Sequence, residues 1–203
     1  MHISEGVLSS QTLAAGWVIT GVGTAVGLKK LDPDKIVRVA VFSSAFFLAS
    51  LVNLRFGTVS THLSLVAPVG LILGWSVFPA VLTALLLQAL LLQSGGIIVL
   101  GANTANMALP GLMVYLLFAA QIRANNTAVA GIFAFSAGAL AVFLSAVGAA
   151  CLIYLSNPEM AGVAKFFLGV HVPLALLEGG VTFFMVSFLK KTSPDILRGV
   201  DRR

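Results

Sequence analysis

Met1 and His2 can offer one metal ion three nitrogens: the free α-amine, the His2 amide nitrogen and the His2 imidazole. That set is planar and tridentate, so a single further nitrogen completes it. His62 is the candidate, because the chain has only 3 histidines and His62 sits at a break between apolar segments. The plain alternative is that a histidine after the initiator is accidental. Such a site also needs an unprocessed N-terminus. Residues 1–10 contain Glu5 and neither Lys nor Arg, so there is no signal-peptide n-region and the N-terminus is expected to be mature as written. A side chain as bulky as His2 is expected to retain Met1, although a formyl group would have to leave to free the amine.

Few other polar groups fall within apolar stretches. His62 follows Thr58-Val59-Ser60-Thr61, Asn103 and Asn106 lie within 100–107, and His171 and Glu178 stand two helical turns apart on one face. Ionisable groups in a span are costly and usually face a cavity or a partner. Glu178 has two readings, a hydrogen bond between helices of this chain or a role in transport or subunit coupling. His171 has the same two. Asn103 and Asn106 are expected to hold an irregular loop by its backbone rather than to bind metal. Gly95-Gly96 and Gly101 bracket Ile97 to Leu100, which reads either as a loop folded into the protein near Met1 and His2 or as an ordinary helix connection.

Enzyme chemistry finds no foothold. The chain has no phosphate-cradling Gly-rich loop followed by Lys, no HExxH, no CxxC and no credible Ser/His/Asp set. No ATPase segment is visible, so uphill movement of a solute would draw on an ion gradient or on separate subunits. With Glu178 as the one carboxylate at membrane depth, a proton-coupled carrier is disfavoured.

The elements that must position these residues are membrane helices. Hydrophobic residues make up 59% of the 203, charged residues 9%, and the mean hydropathy is +1.04. Globular chains carry about a quarter charged residues. The 20 glycines, with many Ala, Ser and Thr, suit close helix contact in lipid. The reading is an all-α polytopic membrane protein of the plasma or inner membrane. Its single transmembrane domain covers 1–203, with a metal-binding segment at 1–10 and a basic cytoplasmic tail at 190–203. Cys151 is alone and offers no disulfide. A pI of 9.8 does not mean nucleic acid, because the basic residues are parcelled into short loops and the tail.

Windows of about 20 apolar residues give seven candidate helices at 11–28, 36–52, 63–75, 77–93, 104–121, 127–154 and 164–189. The third is short, contains Pro68, and reads as tilted or partly re-entrant. Seven spans put Lys29, Lys30, Lys35, Arg38, Arg123, Lys190, Lys191, Arg198, Arg202 and Arg203 on one side and only Arg55 and Lys165 on the other. The positive-inside rule then sets the N-terminus outside and the C-terminus in the cytoplasm, with Met1, His2 and the 53–62 loop together on the outer side.

The opening Met1-His2-Ile3-Ser4-Glu5-Gly6-Val7-Leu8-Ser9 resembles the MHIxEGxL start of the CbiM/NikM family, the membrane substrate-binding (S) components of energy-coupling-factor nickel and cobalt importers. Val59-Ser60-Thr61-His62-Leu63, Leu87-Gln88-Ala89-Leu90-Leu91 with Gly95-Gly96-Ile97, Leu100-Gly101-Ala102-Asn103 with Asn106-Met107-Ala108, and His171-Val172-Pro173-Leu174-Ala175 with Glu178-Gly179 continue the likeness in the family's order. The resemblance implies a seven-helix fold, metal held by Met1, His2 and His62, and Asn103 near the outer loop. Ser60, Asn106, His171 and Glu178 are expected as supporting residues. It also implies a transmembrane coupling (T) subunit and two cytoplasmic ATPases, and leaves open a small accessory membrane subunit. Gly16, Thr20 and Thr24, with Gly23 and Gly27, form small-residue rows on the first helix, through which the S component would meet its coupling subunit. One departure is that many relatives have a polar Asn-Gly pair after His62, where this chain has Leu65-Val66-Ala67-Pro68-Val69-Gly70.

An amine, a deprotonated amide and two imidazoles make a field that suits Ni(II) or Cu(II) rather than tetrahedral Zn(II), so the transported ion is expected to be Ni(II), with Co(II) second and no resident cofactor. Affinity should fall at acid pH, because each nitrogen must lose or lack a proton to bind. Two rivals remain: a non-transporting structural membrane subunit, and a self-contained secondary carrier, which would want internal repeats that the chain does not display.

Overall fold

The computed structural model describes residues 3–56 and 59–198. Met1 and His2, two of the three expected metal ligands, lie outside them. The described residues form seven α-helices: α1 Ser10–Lys30, α2 Ile36–Ala49, α3 Val66–Leu73, α4 Val77–Leu92, α5 Leu100–Ala124, α6 Thr127–Ser156 and α7 Ala161–Thr192. Between α2 and α3, strands β1 Asn53–Phe56 and β2 Val59–His62 pair antiparallel, with Asn53 opposite His62 and Phe56 opposite Val59. The fold is thus helical with one added hairpin, which occupies the 53–62 loop left between the second and third apolar windows.

Five stretches are long and apolar enough to cross a membrane: Ser10–Lys30, Val66–Leu92, Leu100–Ala124, Thr127–Ser156 and Pro158–Thr192. The seven expected helices have seven α-helices as counterparts, of which α2 and α3 are shorter than a lone span and α3 falls with α4 in the stretch Val66–Leu92. At ~1.5 Å per residue, the 14 residues of α2 and 8 of α3 fall short of a hydrocarbon core of about 30 Å. The third window, 63–75, is therefore a short helix that turns sharply at Gly74 (φ +56°) into α4.

Local chemistry sets several boundaries. The Ser9 hydroxyl accepts from the Thr12 N–H at the start of α1, and Asn126 Oδ1 accepts from the Val129 N–H at the start of α6. Pro33 and Pro158 open short 3-10 turns, where a missing N–H costs nothing. Pro173 lies inside α7 between His171 and Glu178 and removes the hydrogen bond that would reach the Gly169 carbonyl.

Tertiary contacts gather the basic residues at one end. Lys190 Nζ donates to the carbonyls of Ile122 and Asn125, Arg123 Nε to the Leu197 carbonyl (2.7 Å) and Arg38 to the Asp195 carbonyl (3.3 Å), while Lys30 Nζ stands 4.7 Å from the Trp75 ring centre. At the other end the hydroxyls of Thr12 and Ser156 are 3.2 Å apart. A large apolar core includes Phe46, Ile72, Phe78 and Met107, and a smaller cluster joins Ile3, Ala102, Ala146 and Phe167.

Residues of the rows on α1 pack against this chain's own helices. A Cβ on Gly16 would lie 2.5 Å from Ala102 Cα, one on Gly23 2.4 Å from the Phe78 ring, and one on Gly27 2.5 Å from the Trp75 carbonyl. The Thr20 hydroxyl donates to the Gly101 carbonyl at 2.7 Å, and Thr24 is half-buried beside it. This chain's own α4 and α5 fill the face because small residues permit backbone approach wherever a second helix is already tethered nearby. Trp17, Val18 and Val22 form the outward face instead.

Candidate metal centre

Asn103, near the start of α5, reaches across 100 residues of sequence to the N-terminal segment. Its Oδ1 accepts from the Ile3 N–H and its Nδ2 donates to the Ile3 carbonyl, both at 3.0 Å. One carboxamide thus satisfies both backbone groups of a residue that is only 2% exposed. The segment is held again at Glu5, whose Oε1 accepts from the Ile98 N–H at 3.0 Å, while Trp17 Nε1 donates to the Ile98 carbonyl at 3.2 Å. Gly96 takes φ +132° directly against Glu5, where a Cβ would come within 2.3 Å of the carboxyl group. The loop after α4 is thus folded against the N-terminal segment rather than being a plain connection.

His62 ends β2 and is 2% exposed. Its Nδ1 lies 3.0 Å from the Leu63 carbonyl. A carbonyl can only accept, so Nδ1 carries the proton and the lone pair belongs to Nε2. The flanking residues are bonded to α7. The Thr61 hydroxyl is 3.2 Å from His171 Nε2, and His171 Nδ1 donates to the Phe167 carbonyl at 2.7 Å, so Nε2 accepts from Thr61. Phe167 also stacks on the His171 ring, with centroids 4.1 Å apart.

Glu178 is fully buried, and all its partners are donors at the entrance to α3. Oε1 accepts from the Ser64 N–H and from the Ser64 hydroxyl (2.8 Å), and Oε2 from the Leu65 N–H (3.1 Å). Leu65 adopts φ +53° and α3 has no side-chain cap of its own. A carboxyl group from α7 therefore satisfies the N–H groups of the two residues that lead into α3. Of the two readings of Glu178, the intramolecular bond is present, although it holds a break in the chain rather than another helix.

The expected residues divide accordingly. Asn103 meets Ile3, while His171 and Glu178 meet the two flanks of His62. Asn106 does not join them, since its Nδ2 donates to the Ser145 carbonyl at 3.0 Å and ties α5 to α6. Both asparagines stand on α5, which begins at Leu100 rather than 104; Asn103 holds the irregular N-terminal segment by the backbone of Ile3, whereas Asn106 bonds a helix carbonyl. Ser60 pairs through its backbone with Arg55. Sequence reasoning missed Thr61, Ser64 and Glu5 as anchors, and also Gln88, which is 1% exposed on α4 with neither amide atom hydrogen-bonded. A carboxamide in an otherwise apolar span was the available signal for Gln88. Among the described residues, no three His, Cys, Asp or Glu side chains cluster as a metal site.

Apolar spanning helices with a buried histidine and a tethered N-terminal segment define a multi-pass membrane protein with a polar site at one end of the bundle. The chain belongs to the CbiM family, the cobalt uptake substrate-specific transmembrane region, which matches residues 2–196. It is similar to a putative metal transport protein of Haemophilus influenzae, 35% identical over 97% of each chain. It is also similar to a fused nickel transport protein, NikMN, of Rhodobacter capsulatus, 30% identical over 97% of this chain and 64% of that one. A crystal structure of a transition metal transporter shares the fold, with a TM-score of 0.75 at 24% identity, covering 94% of this chain and 93% of the other. The resemblance read from the opening and the later motifs is therefore confirmed at the level of the family.

Proposed function

We propose that the chain captures Ni(II) or Co(II) outside the membrane through Met1, His2 and His62 and delivers it inward as the substrate-specific subunit of an ATP-driven importer of the energy-coupling-factor type. The observation that carries this reading is the two-bond clasp of Asn103 on Ile3. The clasp fixes Ile3, the residue that follows the expected Met1-His2 ligands, against α5. Ile3 shares an apolar cluster with Phe167, which stacks on His171, which in turn bonds the residue next to His62. The Nε2 lone pair of His62 and the nitrogens of Met1 and His2 then form the planar set that favours nickel, with cobalt second. The basic end of the bundle is the cytoplasmic one in this reading, which leaves the site outside.

ATP hydrolysis falls to two separate cytoplasmic subunits joined through a transmembrane coupling subunit, and a small accessory membrane subunit is a further partner. Titration of the purified, membrane-reconstituted chain with Ni(II) tests the reading. One ion should bind per chain, and blocking the N-terminal amine or making His62→Ala should abolish binding. Wild-type binding by either form would refute it. Uptake that proceeds without the ATPase subunits would instead favour a self-contained carrier.

A further inference from the structure

His171 and Glu178 lie seven residues apart on α7, about 10.5 Å along a helix rising ~1.5 Å per residue. Thr61 and Ser64 are three residues apart, about 10 Å of extended chain at ~3.3 Å per residue. The two spacings match, and the bonds run in the same order, His171 to Thr61 and Glu178 to Ser64 and Leu65. His62 lies between the two anchors. Each anchor is itself constrained: the His171 ring is stacked on Phe167 and bonded to its carbonyl, and the Glu178 carboxyl group has donors on both oxygens. The segment beyond His62 gains no cap from its own sequence, and Leu65 takes a left-handed conformation that needs outside support.

We propose that His171 and Glu178 are positioning residues, a two-point clamp by which α7 fixes the His62 imidazole for the metal. The clamp rests on His62 being a ligand. Neither residue touches the ion. Their contribution is to hold the chain on both sides of the ligand, so that its nitrogen meets the metal without a further ordering cost. Because both contacts come from one helix, a shift of α7 relative to the bundle would withdraw His62 as a unit.

The test is Ni(II) titration of the full chain in lipid nanodiscs, reading the dissociation constant and the ligand-field absorption band of planar nickel. His171→Ala and Glu178→Ala should each weaken binding by about 10- to 100-fold and shift the band of the bound ion from its wild-type position. Glu178→Gln, which keeps an amide oxygen to accept from Ser64 and Leu65, should recover most of the affinity. Thr61→Val should add nothing in a His171→Ala background, because both remove the same contact. Should Glu178→Ala fail to fold, Thr61→Val and Ser64→Ala remove the segment's side of the two bonds and carry the same expectation. Wild-type affinity and an unchanged band in these variants, with His62→Ala inactive, would overturn the clamp while leaving the metal site standing. Wild-type binding by His62→Ala would overturn the site and the clamp together.

Discussion

The seam between α6 and α7 and the segment from Thr61 to Leu65 are held by opposite means. The seam is built from small residues: a Cβ on Gly138 would lie 2.8 Å from Gly179 Cα and 2.6 Å from the Thr182 hydroxyl, and Ala134 and Ala141 are fully buried on either side. Lipid supplies no hydrophobic drive between helices, so close backbone contact has to provide the attraction. The Thr61–Leu65 segment is neither helix nor paired strand beyond His62, and its Ser64 and Leu65 N–H groups are met by the Glu178 carboxyl group from α7. Irregular chain persists inside a membrane protein only where the protein answers its polar groups. The frame is therefore set by shape, and the segment around His62 by hydrogen bonds aimed at it.

Substitutions on the two sides should separate these roles. His62→Ala should lower Ni(II) affinity by ~1,000-fold or more, about 4 kcal/mol, with little change in melting temperature. Calorimetric titration beside a thermal melt reads both, and a large fall in melting temperature would mean that His62 serves packing. Gly138→Leu should do the reverse. Forcing a side chain into the seam should cost about 3 kcal/mol or more, read as lost folded yield, while whatever protein folds keeps its metal affinity.

Asn103→Ala tests the clasp on the N-terminal segment. It leaves the Ile3 N–H and carbonyl without their partner, at about 1–3 kcal/mol for each unmet group. The segment can fray to escape that cost, so binding should weaken by ~10- to 100-fold with only a small loss of global stability. Equal losses in both measurements would place Asn103 with the frame instead. The smallest effect is expected at Thr20→Val, which removes the bond to the Gly101 carbonyl and should cost about 1 kcal/mol in the isolated chain. Lost assembly with the coupling subunit at an unchanged melting temperature would show that the α1 row faces a partner after all.

What was legible in the sequence were properties that a short window or a loop count can express. Hydropathy located the spanning segments, because each must match the bilayer by itself. The excess of Lys and Arg in alternate loops anticipated the basic end where Arg38, Arg123 and Lys190 converge. The start-pinned Met1-His2 motif and the later motifs pointed to the family that the comparison confirms.

Contacts far apart in sequence were settled only by the tertiary structure. Four-residue spacing marks Gly16, Thr20, Gly23 and Gly27 as a face for close approach, but the same spacing serves a helix of this chain or of another, and here α4 and α5 occupy it. The 53–62 segment read only as a loop between apolar windows, and its pairing into the hairpin of β1 and β2 went unseen because four-residue strands leave too short a trace. Asn103 bonds Ile3 across 100 positions and Glu178 bonds Ser64 across 114. No periodicity links residues so separated; a polar side chain in a span announces only that it needs a partner, and the packing of the helices decides which one it finds.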